Sequence, residues 1–249
     1  MSLTHVDGGE GSELRPGSAD TARSSQAPRV AFGALITARK AVAASFALFM
    51  VAGCGGGGEE TSTEAQLPAG CSRVQAPPPK EAQLSPPTTT LRGAATATVE
   101  TSCGSFAISL DTTRAPKTAS SFAYLAREGV YDNTLFHRIE PGFVIQGGDP
   151  SGTGSGGPGY FVDELPPANL SYTQGVVAMA KTAAEPPGRS GSQFFIVTVP
   201  DAGLTPDYAL LGRVSSGFDV VQRIEQLGTA GGRPKAPVLI RRVTVKAGT

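Results

Sequence analysis

The chain has 249 residues with Lys plus Arg and Asp plus Glu at 21 each, so its formal charge is zero and no basic block offers a face for phosphate; nucleic acid is excluded as an expected partner. Three cysteines without a Cys-x-x-Cys pair, and two histidines, His5 and His137, give no metal-ligand spacing, so neither a metal nor another cofactor is expected. Gly 32 and Pro 20 are high, and before residue 95 they fall in weakly apolar runs, which divides the chain into a front part that cannot build a core and a globular back part.

Residues 1–29 are polar and irregular; Arg39 and Lys40 then precede AVAASFALFMVAGC, from Ala41 to Cys54. A charged segment before a short apolar run is the pattern of an export signal, and a dozen apolar residues fall short of the roughly 20 that a spanning helix needs. Val51-Ala52-Gly53-Cys54 resembles the lipobox of bacterial lipoproteins, where small residues precede a cysteine that is lipidated and becomes the mature N-terminus. The resemblance implies that residues 1–53 are removed and that Cys54 carries at least two acyl chains, enough to anchor the protein to the extracytoplasmic side of a bacterial membrane. The stretch ahead of Arg39 is long for such a signal, so translation is expected to start downstream, near Val30.

Residues 54–91 carry repeated prolines and few apolar side chains, and they read as a disordered tether that lifts the globular domain, residues 92–249, off the bilayer. Cys71 and Cys103 remain after lipidation of Cys54. In an oxidising exterior they are expected to pair, although two free thiols are an alternative that the sequence leaves open.

Within the domain, TATVETS and SFAISL alternate as strands do around Cys103-Gly104, a hairpin signal. Pro116 suits a first helical turn, with Phe122, Leu125 and Ala126 on one face and Gly129 as the stop. Short strands are expected near 134–139, 143–147, 175–180, 193–199, 209–214 and 238–246, and a second helix from Ser216 to Leu227, ended by Gly228. Many short strands and only two helices argue for a mainly β fold, a closed or nearly closed antiparallel barrel.

The usual catalytic patterns fail. GTGSGGPG at 152–159 is followed by Tyr160 and Phe161 instead of a helix and reads as a flexible loop. Asp163 and Glu164 are adjacent and so cannot flank a glycosidic bond; a solvated turn is expected there. Ser190 and Ser192 lack a nucleophile elbow, and His137 is the one histidine of the domain. Asp149 in Gly-Gly-Asp-Pro is expected to fix a turn.

In contrast, FHRIEPGFVIQGGDP, GVVAMAKTAAEPPGRSGSQFFIVT and LTPDYALLGRV, in this order, closely resemble the signature segments of cyclophilin-type peptidyl-prolyl isomerases, over roughly residues 95–247. The resemblance implies a closed eight-stranded antiparallel barrel capped by two helices, with a peptide groove on its outer surface. It also implies Arg138 as the catalytic residue and His137, Phe143, Val144, Gln146, Ala180, Lys181, Thr182, Gln193, Phe195, Leu204 and Tyr208 as substrate-binding. The chemistry fits residues without a nucleophile. An X-Pro bond isomerises slowly because rotation breaks amide resonance, and a catalyst need only favour the twisted amide. A guanidinium can donate to the prolyl nitrogen as it regains its lone pair, while an apolar pocket seats the ring. By strand alternation Gln193 and Phe195 share the groove face, with Phe194 and Ile196 turned to the core. Phe143 and Gln146 have opposite parity, so a bulge or turn is expected near Phe143.

Some positions depart from the family pattern: Lys181-Thr182 stand where many members carry Asn-Ala, Gly203 where a tryptophan is common, and Tyr208 where a histidine is. Altered preference for the residues preceding proline and weak binding of cyclosporin-like peptides are expected. The expected activity is a monomeric isomerase acting on proline-containing segments of exported proteins. The rivals are a noncatalytic peptide-binding module or holdase chaperone using the same groove, and a surface scaffold with an idle barrel.

Overall fold

The computed structural model describes residues 66–248. The export signal, the lipobox with Cys54 and the start of the tether lie outside the described residues.

The strands β1 (Ala95–Thr101) and β2 (Gly104–Leu110) form the expected hairpin. Its turn is held by Thr101, whose Oγ1 accepts the Cys103 N–H at 2.9 Å and donates to the Gly104 carbonyl at 2.7 Å. Helix α1 (Pro116–Arg127) starts with proline, which has no N–H to leave unsatisfied. The next two orphan N–H groups, of Lys117 and Thr118, donate to the Glu164 carboxylate at 3.0 and 2.7 Å. Asp163 pairs with Arg189 at 2.9 Å. The acidic pair is thus a helix cap plus an ion pair where a solvated turn was expected, because the cap's partners are nearly fifty residues away.

The remaining elements are β3 (Thr134–Leu135), β4 (Arg138–Glu140), β5 (Val144–Gly147), β6 (Val162–Asp163), β7 (Val176–Met179), β8 (Arg189–Ser190), β9 (Phe194–Val197), β10 (Leu210–Ser216), α2 (Phe218–Glu225) and β11 (Leu239–Ala247). Nine strands make one curled antiparallel sheet in the order β3-β11-β1-β2-β10-β7-β9-β5-β4, and β6 and β8 pair separately. The count exceeds the expected eight because the segment 134–139 is broken. Phe136 and Ile139 both enter the inner core although they are three positions apart, and period-two alternation cannot satisfy both. The ladder therefore ends at β3 on one side and β4 on the other, two ends separated in the chain only by Phe136 and His137. An isolated bridge between Leu135 and Asp149 lies at this joint.

The inner face of the curl, with α1 and α2 against it, holds the main core, including Val99, Ile108, Leu125, Ile145, Ile196 and Ile224. Phe194 stands at its centre, edge-on to Phe122, Tyr131 and Phe136 at 5.7, 5.9 and 6.1 Å. A second apolar cluster, including Val144, Tyr172, Ala178, Phe195, Val197 and Leu210, is separate from it.

Residues 66–91, expected to be a disordered tether, instead lie along the domain as a strap. Leu67, Cys71, Ala82, Leu84 and Leu91 pack against the main core. The Ser72, Lys80 and Leu84 N–H groups donate to the Ser102, Pro150 and Pro158 carbonyls at 2.7, 3.0 and 2.8 Å. Lys80 reaches the turn after α1, its ammonium donating to the Asp132, Gly129 and Val130 carbonyls. Cys71 and Cys103 form a disulfide that fixes the strap to the β1–β2 turn. Such a composition cannot fold alone, but docked on an existing core it needs only a few apolar anchors. Its prolines are already extended and leave few N–H groups to satisfy.

Candidate active site

The groove face is set by strand register. Arg138 on β4 pairs with Gln146 on β5, Gln146 with Phe195 on β9, Phe195 with Ala178 on β7, and Ala178 with Leu210 on β10. Directly opposed residues share a face, so this row carries a guanidinium, a carboxamide and a phenyl ring side by side on the outside of the curl. Phe194 and Ile196 face the inner core, as alternation requires.

Phe143 joins them from outside the ladder. It follows the Pro141-Gly142 turn, where Gly142 has φ 74°, and its N–H donates to the Glu140 carbonyl at 3.1 Å. The parity conflict is resolved by a turn, with β5 starting only at Val144. Glu225 at the end of α2 holds this turn, accepting the Gly142 N–H at 2.8 Å and the Thr198 hydroxyl at 2.6 Å. The Arg138 guanidinium carbon stands 5.6 Å from the centroid of the Phe143 ring.

Arg138 donates to the Glu140 carboxylate and, at 3.5 Å, to Gln146 Oε1. Gln146 Nε2 donates to Gln193 Oε1 at 3.0 Å, and Gln193 Nε2 to the Gly154 and Gly156 carbonyls at 3.0 and 2.9 Å. Behind this relay is Asp149, fully buried, whose carboxylate accepts the N–H groups of Ser151, Gly154 and Gly156 at 2.8, 2.6 and 3.2 Å. Burial raises its pKa, but hydrogen bonds from Ser151, Gly156 and Gly154 outweigh that and hold the carboxyl below its ordinary value. The glycine-rich loop, expected to be flexible, is therefore pinned from below by one carboxylate. Asp149 fixes a turn as expected, and the turn it fixes supports the glutamines.

Beyond the row, Phe143, Val144, Phe195, Leu204 and Tyr208 belong to the second apolar cluster. Tyr208 stands edge-on to Phe195 at 5.4 Å. Its backbone is gripped by Tyr172, whose hydroxyl donates to the Tyr208 carbonyl at 2.6 Å and accepts the Tyr208 N–H at 3.0 Å. Burial is the main reason that the Tyr172 hydroxyl is pushed up to about 12. Tyr172 was not singled out in the sequence; the available signal was a lone aromatic inside the polar run Ser171-Tyr172-Thr173-Gln174.

Ala180, Lys181, Thr182, Gln146 and Gln193 line a second depression of about 700 Å³ alongside this row. Lys181 does not present its charge to it freely: the side chain is 4% exposed, its ammonium pairs with Asp207 at 2.6 Å and lies 5.4 Å from the Tyr208 ring centroid. The side chain also braces the loop 182–188, donating to the Thr182 and Glu185 carbonyls at 3.4 and 3.1 Å. His137 contributes little polar surface. Both ring nitrogens are buried without a hydrogen-bond partner, and burial lowers its pKa, opposed chiefly by Asp149. The imidazole offers no polar atom to the groove. Among the described residues no group of three or more His, Cys, Asp or Glu side chains is placed to hold a metal ion.

The arrangement offers one cation with donors to spare, a carboxamide relay and an apolar seat, and comparison with known proteins points the same way. Residues 96–245 match the family model "Cyclophilin type peptidyl-prolyl cis-trans isomerase/CLD". A peptidyl-prolyl cis-trans isomerase-like 1 of Gibberella zeae is 41% identical over 152 residues, which cover 59% of this chain and 92% of that protein. One of Aspergillus niger is 43% identical, covering 59% and 91%. A solved cyclophilin-type isomerase of Cryptosporidium parvum superposes with a TM-score of 0.57 at 32% identity, covering 63% of this chain and 99% of that one. A second structure from that organism, determined in the presence of the dipeptide Ala-Pro, gives 0.56 at 31% identity, covering 61% and 99%.

Proposed function

The chain belongs to the cyclophilin-type peptidyl-prolyl cis-trans isomerases, and from that premise we propose that it accelerates X-Pro rotation in exported proteins while held to a membrane by a lipid on Cys54, with Arg138 as the catalytic residue. The observation that carries the assignment of the site is the cross-strand row Arg138, Gln146, Phe195, which puts a donor beside an apolar seat without any nucleophile. The proline ring packs against Phe143, Phe195, Leu204 and Tyr208. The guanidinium donates to the prolyl nitrogen as it becomes pyramidal, a bond available only in the twisted state, so it lowers the barrier without tightening the ground state. Gln146 holds the arginine and receives the rotating side of the peptide. A rate gain of about 10^5 needs roughly 7 kcal/mol, within reach of such differential hydrogen bonding in a site partly removed from water.

The location rests on this chain's own residues: the charged Arg39-Lys40, the apolar run behind them and Val51-Ala52-Gly53-Cys54. The disulfide supports an oxidising compartment. Domain limits follow, with residues 1–53 removed and 92–249 as catalytic body.

Isomerisation of an Ala-Pro tetrapeptide by the full chain, followed with Arg138→Ala, tests the mechanism. Loss of one transition-state donor should lower kcat by about 10^2–10^3 with little change in KM. A variant as active as the parent defeats the role of Arg138. Mass spectrometry of the membrane-fraction protein tests the anchor, an unmodified Cys54 sinking it.

A further inference from the structure

The strap does more than cover the core: residues Lys80 to Gln83 wall the depression beside the catalytic row, opposite Gln146 and Gln193. Lys80, Ala82 and Leu84 are half-buried in this stretch, and Glu81 and Gln83 between them are exposed along the rim of the depression. Its position is built in from both sides. Leu84 bonds to Pro158, and a side chain at Gly159 would bring its Cβ within 2.8 Å of Gln83 Oε1 and 3.0 Å of the Gln83 Cα, so the loop leaves room for the strap. Ser192, on the same wall, is fully buried with a hydroxyl that has no hydrogen-bond partner.

The charges around the depression are unequal in availability. The Lys80 ammonium is held by three carbonyls and faces Asp132, and that of Lys181 is paired with Asp207. Among the described residues Glu81 enters no ion pair, while Glu185 accepts the Thr182 N–H on its carboxylate and the Lys181 ammonium on its backbone carbonyl at 3.1 Å, with the Asp163-paired Arg189 guanidinium acting on it from nearby. Both lysines of the lining are committed elsewhere, and neither is paired with the carboxylate of Glu81 or Glu185, which line the same depression.

We propose that the strap makes this depression an acidic subsite that selects substrates with a lysine or arginine shortly before the isomerised proline. The proposal rests on the isomerase reading of the groove. Proline seated at Phe195 directs the adjoining peptide past Gln146 and Gln193 into the space that Glu81 and Glu185 flank. With two carboxylates at about 7 Å in a water-like dielectric and physiological screening, lysine should be favoured over glutamate by about fivefold.

The test compares kcat/KM of the full chain on Lys-Ala-Pro-Phe and Glu-Ala-Pro-Phe peptides, for the parent and for Glu81→Lys, whose exposed site on the strap leaves the core untouched. The expected result is a lysine preference of about fivefold that shrinks in high salt and is abolished or reversed in the variant. Equal kcat/KM for the two peptides, or the same ratio in both chains, overturns it. Calorimetric Kd values for the same peptides separate the two claims: if no peptide is isomerised, the isomerase reading fails, while a charge-dependent Kd that inverts with Glu81→Lys still supports the subsite.

Discussion

Reducing the Cys71–Cys103 disulfide should destabilise the whole domain measurably, because the bond closes a loop with a sequence separation of 32. The chain-entropy relation gives about 3.7 kcal/mol at 25 °C for a loop of that size. With a urea slope of about 2.5 kcal/mol per molar for a body of this size, the unfolding midpoint should fall by about 1.5 M. The chain has no tryptophan, so far-UV circular dichroism is the natural signal. Limited proteolysis supplies a second reading. Lys80 and Glu81 lie in a segment held mainly by isolated hydrogen bonds and half-buried side chains, so cleavage there should precede that of the sheet once the thiols are free. Equal midpoints and slopes for the oxidised chain and the reduced chain, with both thiols verified by alkylation, would refute the reasoning. So would unchanged protease resistance of the strap.

Other expectations follow from single contacts. Tyr172→Phe strands the backbone N–H and carbonyl of Tyr208 and should cost about 2–4 kcal/mol in urea unfolding, along with a raised KM if Tyr208 walls the proline seat as proposed; an unperturbed KM would show that the wall stands without it. Glu164→Ala removes the cap from the first turn of α1, an expected loss of about 1 kcal/mol by the same assay. The pKa values of His137 and Asp149 are both depressed by folding, so each contributes stability that is present above its unfolded pKa and lost as pH falls. For His137 the loss begins below its ordinary value of 6.5, for Asp149 below 3.8. His137→Gln should therefore flatten the stability profile just below pH 6.5 while leaving in place the acid limb below 3.8, and a profile of unchanged shape counts against the assignment.

What could be read from the sequence was whatever is local or periodic. The alternation of Ala95–Thr101 placed the hairpin face by face, and the spacing of Gln193 and Phe195 put both on the groove side. The parity of Phe143 against Gln146 announced a break and the Pro141-Gly142 turn supplied it. What escaped were contacts between residues far apart that carry no period. Glu164 caps a helix 46 residues away, Tyr172 grips Tyr208, and Leu84 bonds to Pro158 across the surface. The strap was misread for this reason, since low apolar content rules out independent folding but not docking. The Lys181 ion pair escaped for the same reason: its partner Asp207 lies outside the motif segment that carries the lysine.

The uncovered side of β4 is occupied by the loop after α2: the Ile139 N–H donates to the Gly232 carbonyl at 2.7 Å, and the Ile139 carbonyl accepts the Thr229 N–H at 3.3 Å. A client chain therefore finds no free backbone edge beside Arg138 on which to add itself as another strand. It must lie across the face and be gripped by a few side chains. Such a grip imposes no long register, so one groove can accept peptides that share little beyond a proline.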